Sequence, residues 1–232
     1  QRLFAVLSTL ILLGSGAAAF SEGAEPLRAG MIGLDTSHVI AFTRTFNDPK
    51  ATGELANVKI VAGYPGGTDF PPSATRVERF TEQLREMGIE IVDSIPELLS
   101  RVDVVLLESV DGRPHLEQVL PVFKAGKPVF IDKPVAGSLS DAVAIYEAAK
   151  RYDVPAFSSS SSRFQESPQQ IRGGGIGDVL GCDVYGPCSL QPTHPDLFWY
   201  GIHGVEALFT CMGTGCESVT RVTTDDYDTV IG

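Results

Sequence analysis

The sequence has 232 residues, long enough for one large domain or one and a half with a sizeable core. With 43% hydrophobic and 20% charged residues it has the composition of an ordinary globular chain, which excludes wholesale disorder. Its net charge of −11, without a basic cluster, argues against nucleic acid, whose backbone is bound by basic groups that displace counterions from phosphate.

Residues 1–19 carry Arg2, the apolar run from Leu3 to Leu13, and the small-residue end Ala17-Ala18-Ala19. This is the pattern of a signal peptide cleaved after Ala19. It implies a secreted or periplasmic mature protein with no stable membrane insertion. The run is short for a membrane span, and an uncleaved anchor is the competing reading.

From Leu27 to Gly33 the chain reads as a strand, followed by a helix from Ser37 to Phe46 and a strand from Val58 to Ala62. Thr75 to Met87 has helical spacing, with Val77, Phe80, Leu84 and Met87 on one face and Gly88 closing it. A short strand at Ile89–Val92, a helix at Pro96–Arg101 and an apolar strand at Val102–Leu107 follow. Next come a helix at His115–Lys124, closed by Gly126, and a strand at Pro128–Ile131. Ser138 to Asp141 opens a helix that ends near Tyr152 and turns Val143, Tyr146 and Ala149 toward a sheet, and Val154–Phe157 makes a sixth strand. Alternating strands and helices with short turns predict an α/β domain over residues 27–160, built on a doubly wound parallel sheet with right-handed crossovers.

Beyond it the pattern changes. The five serines Ser158–Ser162 read either as a flexible linker or as a strand leading onward. Gly177–Tyr185 reads as a strand of a mixed or antiparallel sheet, Trp199–Met212 as a helix and Val219–Thr224 as another strand, so residues 161–232 form an α+β portion. Cys182, Cys188, Cys211 and Cys216 allow two disulfides in three connectivities in an oxidising compartment, or four buried thiols. No C-x-x-C spacing suggests zinc.

Asp132-Lys133-Pro134 follows the fifth strand, at the carboxyl edge where open α/β sheets bind ligands, although a lysine in such a turn is otherwise a solvated residue. Gly201-Ile202-His203 lies on the later helix. Together these resemble the Gfo/Idh/MocA oxidoreductases, in which a strand ends in Glu-Lys-Pro or Asp-Lys-Pro and a helix carries Asp-x-Gly-x-His. The resemblance implies a Rossmann-like domain that binds NAD or NADP, followed by a substrate domain with an open sheet that here stops short. It implies that Lys133 lies beside the nicotinamide and the substrate hydroxyl, and that His203 exchanges the substrate proton. Cofactor contacts would come from Gly33, Asp35, Thr36, Ser37, His38, Glu108, His115, Asp132 and Lys133, and substrate contacts from Lys133, Arg163, Trp199 and His203. The substrate would be a sugar, polyol or related carbohydrate, and a homo-oligomer would form through the C-terminal sheet.

The sequence departs from that family at three places. A dinucleotide loop uses three glycines, for the turn, for the approach of backbone to pyrophosphate and for helix–strand packing. Gly33 fills the first place, but Asp35 and His38 stand at the second and third. Asp35 would repel a pyrophosphate, or else is a helix N-cap, while Thr36 and Ser37 still offer hydroxyls. The second strand runs into Gly63-Tyr64-Pro65 without the acid that binds a ribose diol, and Asp69 is the first carboxylate beyond it. Trp199 replaces the aspartate of the helix motif, with His194 and Asp196 as candidate substitutes; it suggests a sugar-stacking surface. His115 reads as structural more readily than as catalytic.

Two functions remain. The first is hydride transfer between NAD(P) and a carbohydrate. The second is a secreted carbohydrate-binding or scaffolding protein with a degenerate cofactor site. A cation held by Asp35, His38 and Glu108 is a lesser alternative that no ligand spacing recommends, so the reading adopts no metal.

Overall fold

The structure, a computed structural model, describes residues 25–232; the signal-peptide reading of residues 1–19 lies outside them. Six strands form one sheet: β1 (Leu27–Ile32), β2 (Val58–Tyr64), β3 (Glu90–Ile91), β4 (Val104–Leu107), β5 (Val129–Asp132) and β6 (Ala156–Ser159). Their spatial order is β3-β2-β1-β4-β5-β6, and every neighbouring pair is parallel. The helices between them are α1 (His38–Phe46), α2 (Pro71–Ala74), α3 (Val77–Glu86), α4 (Ile95–Leu99), α5 (His115–Lys124) and α6 (Leu139–Tyr152). The expected helix over Thr75–Met87 is α3, and the short α2 before it is an element the sequence pattern did not announce.

Successive strand residues point to opposite faces, and the sheet sorts them into two cores. Met31 and Leu106 pack with Val39 and Ile40 of α1 and with Phe80 and Leu84 of α3. Ile32, Leu107 and Ile131 pack on the other face with Leu98 of α4, Val119, Val122 and Phe123 of α5, and Ile145 and Ala149 of α6. Ser94 and Ser138 start α4 and α6 by accepting the backbone N–H of Glu97 at 3.3 Å and of Asp141 at 3.1 Å, supplying acceptors that a helix start lacks.

The sheet-facing stripe of α6 is Ile145 and Ala149, whereas Val143 and Tyr146 are exposed at 53% and 44%, which corrects the expected face. The helix carries two apolar stripes. The one with small residues fits closely on the sheet, and Tyr146 turns instead toward the pair formed by Arg163 and Glu206.

Past the sheet, the serine run is ordered structure rather than linker: Ser158 and Ser159 belong to β6 and Ser161–Phe164 form a 3-10 turn. Then come α7 (Glu166–Arg172), α8 (Ile202–Met212) and an antiparallel hairpin of β7 (Thr220–Thr223) and β8 (Asp228–Ile231). The expected strand over Gly177–Tyr185 is irregular backbone: among the described residues no strand pairs with it, and Leu180 and Tyr185 are almost fully exposed. All four cysteines are free thiols, with Cys182 and Cys211 in hydrogen-bonding contact. Among the described residues, no helix is long and apolar enough to cross a membrane.

Candidate functional site

Chain order reverses across β1, since β2 flanks it on one side and β4 on the other. A crevice therefore opens at the carboxyl edge between β1 and β4, the usual ligand position in such sheets. Ile32 pairs with Leu107 and Leu107 with Ile131, so the next residues along, Gly33, Glu108 and Asp132, occupy one row. Because Ile32, Leu107 and Ile131 face α4 to α6, the alternation turns the following row toward α1. Gly33 has no side chain there. Glu108 and Asp132 do, and His38, the first residue of α1, meets them.

His38 Nδ1 lies 2.7 Å from Asp132 Oδ2. Glu108 is fully buried, and neither of its carboxylate oxygens has a hydrogen-bond partner among the described residues. One ligand atom from each of His38, Glu108 and Asp132 falls within 4.8 Å of the others. Burial, reinforced by the neighbouring Asp132 charge, drives the Glu108 pKa well above the usual carboxylate range, with Lys133 opposing it.

Gly33 adopts φ +85°, and a side chain there would put its Cβ 2.2 Å from Ser109 Oγ and 2.5 Å from the Ser109 backbone. Only glycine lets the turns after β1 and β4 touch in this way. Asp35 neither caps α1 nor faces a phosphate position. Its carboxylate is buried, accepting Ser73 Oγ–H at 2.5 Å and the Val110 N–H at 2.8 Å, and burial pushes its pKa up against the pull of these bonds. The repulsion expected from the sequence is therefore directed away from the start of α1. That start has no side-chain cap. Thr36 Oγ1 accepts only a long 3.4 Å bond from the His38 N–H, and Ser37 is exposed.

The loops after β2 and β4 are joined to each other. Thr68 Oγ1–H donates to Asp111 Oδ2 at 2.7 Å, and the Arg113 guanidinium donates to Asp111 at 2.7 Å and to Asp69 at 2.6 Å. Asp69 is thus committed to Arg113. His115 is fully buried between two backbone carbonyls, and the shorter contact, 2.8 Å to Ser109 O, assigns its one N–H in the neutral ring to Nε2. Burial lowers its pKa, and its place is structural.

Lys133 leaves the edge just after β5, its Nζ 5.8 Å from the centre of the Trp199 ring. Trp199 packs edge-on against Phe70 at 5.0 Å and lies 5.0 Å from His194. His194 is buried and its Nε2 accepts the Gly112 N–H at 3.1 Å, while Asp196 is exposed and pairs with Arg221. Both candidate substitutes for the missing aspartate are engaged elsewhere. Arg163 is paired with Glu206.

His203, in the first turn of α8, has Nδ1 2.7 Å from Oγ of the buried Ser160, the residue directly after β6. Burial and the positive charge of Lys133 lower its pKa, and Asp132 and His38 also act on it. The fold therefore gathers His38, Glu108, Asp132, Lys133 and His203 at one edge. Sequence reading named all five, yet grouped Asp35 instead of Asp132 with His38 and Glu108. Strand register was the signal that separates them.

Residues 70–159 match a family model described as an oxidoreductase family with an NAD-binding Rossmann fold. An uncharacterised oxidoreductase of Streptococcus pneumoniae is 32% identical over 153 residues, covering 58% of this chain and 41% of that protein. The myo-inositol 2-dehydrogenase of Thermotoga maritima is 29% identical over 136 residues, covering 57% of this chain and 40% of its own length. The chain thus spans about two fifths of the length of the curated relatives it matches. The crystal structure of an NAD-binding protein from Listeria innocua superposes with a TM-score of 0.61 at 19% identity, over 85% of this chain and 58% of that one, a likeness of fold.

Proposed function

We propose that this chain, whose residues 70–159 match an oxidoreductase family with an NAD-binding Rossmann fold and whose motifs resemble the Gfo/Idh/MocA oxidoreductases, interconverts at its carboxyl edge an alcohol and a carbonyl on a sugar or polyol, with NAD or NADP as redox partner. The observation that carries this reading is the convergence of Lys133 with His203, the latter fixed by Ser160. The likeness to a myo-inositol 2-dehydrogenase supports a polyol-like substrate. The signal-peptide reading of residues 1–19 adds that the protein works outside the cytoplasm.

The residues fit the cofactor at two places. The uncapped start of α1, with Thr36 and Ser37 and with Asp35 turned away, would hold phosphate, and Asp132 and Lys133 would flank the nicotinamide end. When bound, the dinucleotide supplies the hydride acceptor or donor. Lys133 would orient the substrate oxygen and stabilise negative charge on it. Ser160 Oγ accepts the Ser162 N–H at 3.0 Å and occupies His203 Nδ1, so Nε2 is the ring atom left for substrate. When Ser160 donates to Nδ1, Nε2 carries the proton and can give it to a carbonyl oxygen. In the other tautomer, Nε2 accepts the hydroxyl proton. A lowered pKa keeps the ring neutral and ready for either exchange.

The second reading, a carbohydrate-binding protein without redox activity, is favoured by the joined loops after β2 and β4, which turn Thr68 and Asp69 toward protein rather than toward a ribose. Mass spectrometry of the denatured full-length protein, backed by NAD and NADP titration, separates the two. Under the first reading a dinucleotide is released or bound, and Lys133→Ala lowers turnover about a hundredfold or more with the fold intact. The absence of both release and binding overturns it. Sugar binding that survives Lys133→Ala and is lost in Trp199→Ala would then establish the second.

A further inference from the structure

We infer that His38, Glu108 and Asp132 form a binding site for one divalent cation of the Mn2+, Fe2+ or Zn2+ class, independent of any dinucleotide. Three different segments bring these ligands together: the first residue of α1, the residue after β4 and the last of β5. Their ligand atoms already lie within 4.8 Å of one another, and bonds of about 2.1 Å to one ion need only small side-chain rotations to close them. His38 and Asp132 partner each other at 2.7 Å. Glu108 has no such explanation. Its carboxylate is fully buried, lies beside that pair, and has neither oxygen satisfied among the described residues. An unpartnered buried carboxylate is costly, and a bound proton would leave an orphan donor beside an orphan carbonyl acceptor. A cation shared with His38 and Asp132 satisfies all three groups at once, taking the position of the proton between Nδ1 and Oδ2.

One imidazole nitrogen with two carboxylates suits borderline divalent metals. Ca2+ prefers six to eight oxygens, and Mg2+ favours oxygen and water. The half-exposed His38 side chain, at 40%, leaves a way in from solvent. Three protein ligands leave coordination positions for water or a substrate oxygen, beside Lys133.

The test is equilibrium dialysis and calorimetry of chelator-treated full-length protein with MnCl2 and with ZnCl2, in the absence of nucleotide and sugar. The expected result is one ion per chain, with a raised melting temperature. Glu108→Gln, which keeps the shape and removes the charge, should weaken binding at least about tenfold. His38→Ala, at a position open to solvent, should do the same and covers the case in which the buried variant misfolds. No binding at millimolar metal, or binding unchanged in either folded variant, overturns the proposal. Because no cofactor is present, its outcome is separate from that of the oxidoreductase reading.

Discussion

The sheet region through Ser160, the residue directly after β6, and the region beyond it are held by different forces. Among the described residues, Ala207 alone represents the second region in the buried apolar core. The first region is a sheet with an apolar layer on each face, whereas the second leaves Leu180, Tyr185, Val222 and Ile231 exposed. What ties the second to the first is a set of polar and aromatic rivets: Ser160 to His203, Gly112 to His194, and Trp199 on Phe70. The contrast teaches that the sheet supplies rigidity, while the later segment contributes side chains to its edge without a core of its own.

Truncation within the two regions should therefore differ most. Leu107→Ala, in the centre of the sheet, should cost roughly 3–5 kcal/mol, and Leu180→Ala no more than about 0.5 kcal/mol, by urea denaturation. Equal losses would erase the distinction. A smaller effect comes from acid. Burial lowers the pKa of His115 in the first region and of His194 and His203 among the rivets. The unfolded chain then takes up protons that the folded chain refuses. Stability from this source is complete above the ordinary histidine pKa of about 6.5 and falls as pH drops toward the folded values, by at most about 1.4 kcal/mol per pH unit for each ring. The urea midpoint at pH 5.5 should lie below that at pH 7.5; a flat profile would show that these rings are not held neutral.

The smallest effect belongs to the opposite, amino edge of the sheet. There Arg28 donates to Asp103 from its backbone N–H at 2.9 Å and its guanidinium at 2.7 Å, holding the carboxyl at about 2. The pair is partly exposed, so Asp103→Asn should cost less than about 1 kcal/mol at pH 7. That contribution is present above the unfolded pKa of about 3.9 and is lost as pH falls through about 2. Equal penalties at pH 7 and near pH 2 would mean that the carboxylate charge is not what the pair uses.

Much of the first region was legible because its pattern is local. Apolar runs of four to seven residues alternate with helices bounded by Ser94, Ser138, Gly88 and Gly126, and turn chemistry of this kind is written in adjacent residues. The face of α6 was not, since its two apolar stripes differ only in which one meets the sheet. Gly177–Tyr185 misled for a related reason: a strand is made by a neighbouring strand, and among the described residues none pairs with it. At the site, Lys133 and His203 were readable from their motifs. The grouping of Glu108 with Asp132 was not, because it depends on the register that aligns Leu107 with Ile131. Asp35 misled most, since its partners Ser73 and Val110 are far away in sequence.

That buried carboxylate constrains how the turn can change. Asp35→Gly, which would bring back a family-like glycine, deprives the Ser73 hydroxyl and the Val110 amide of their acceptor inside the protein. The route between this turn and a glycine-rich one therefore crosses a less stable intermediate, and substitutions at 35 and 73 should be strongly non-additive. Position 35 can be redesigned only together with its partners, and a swap of one residue cannot transplant the loop chemistry of a relative into this fold.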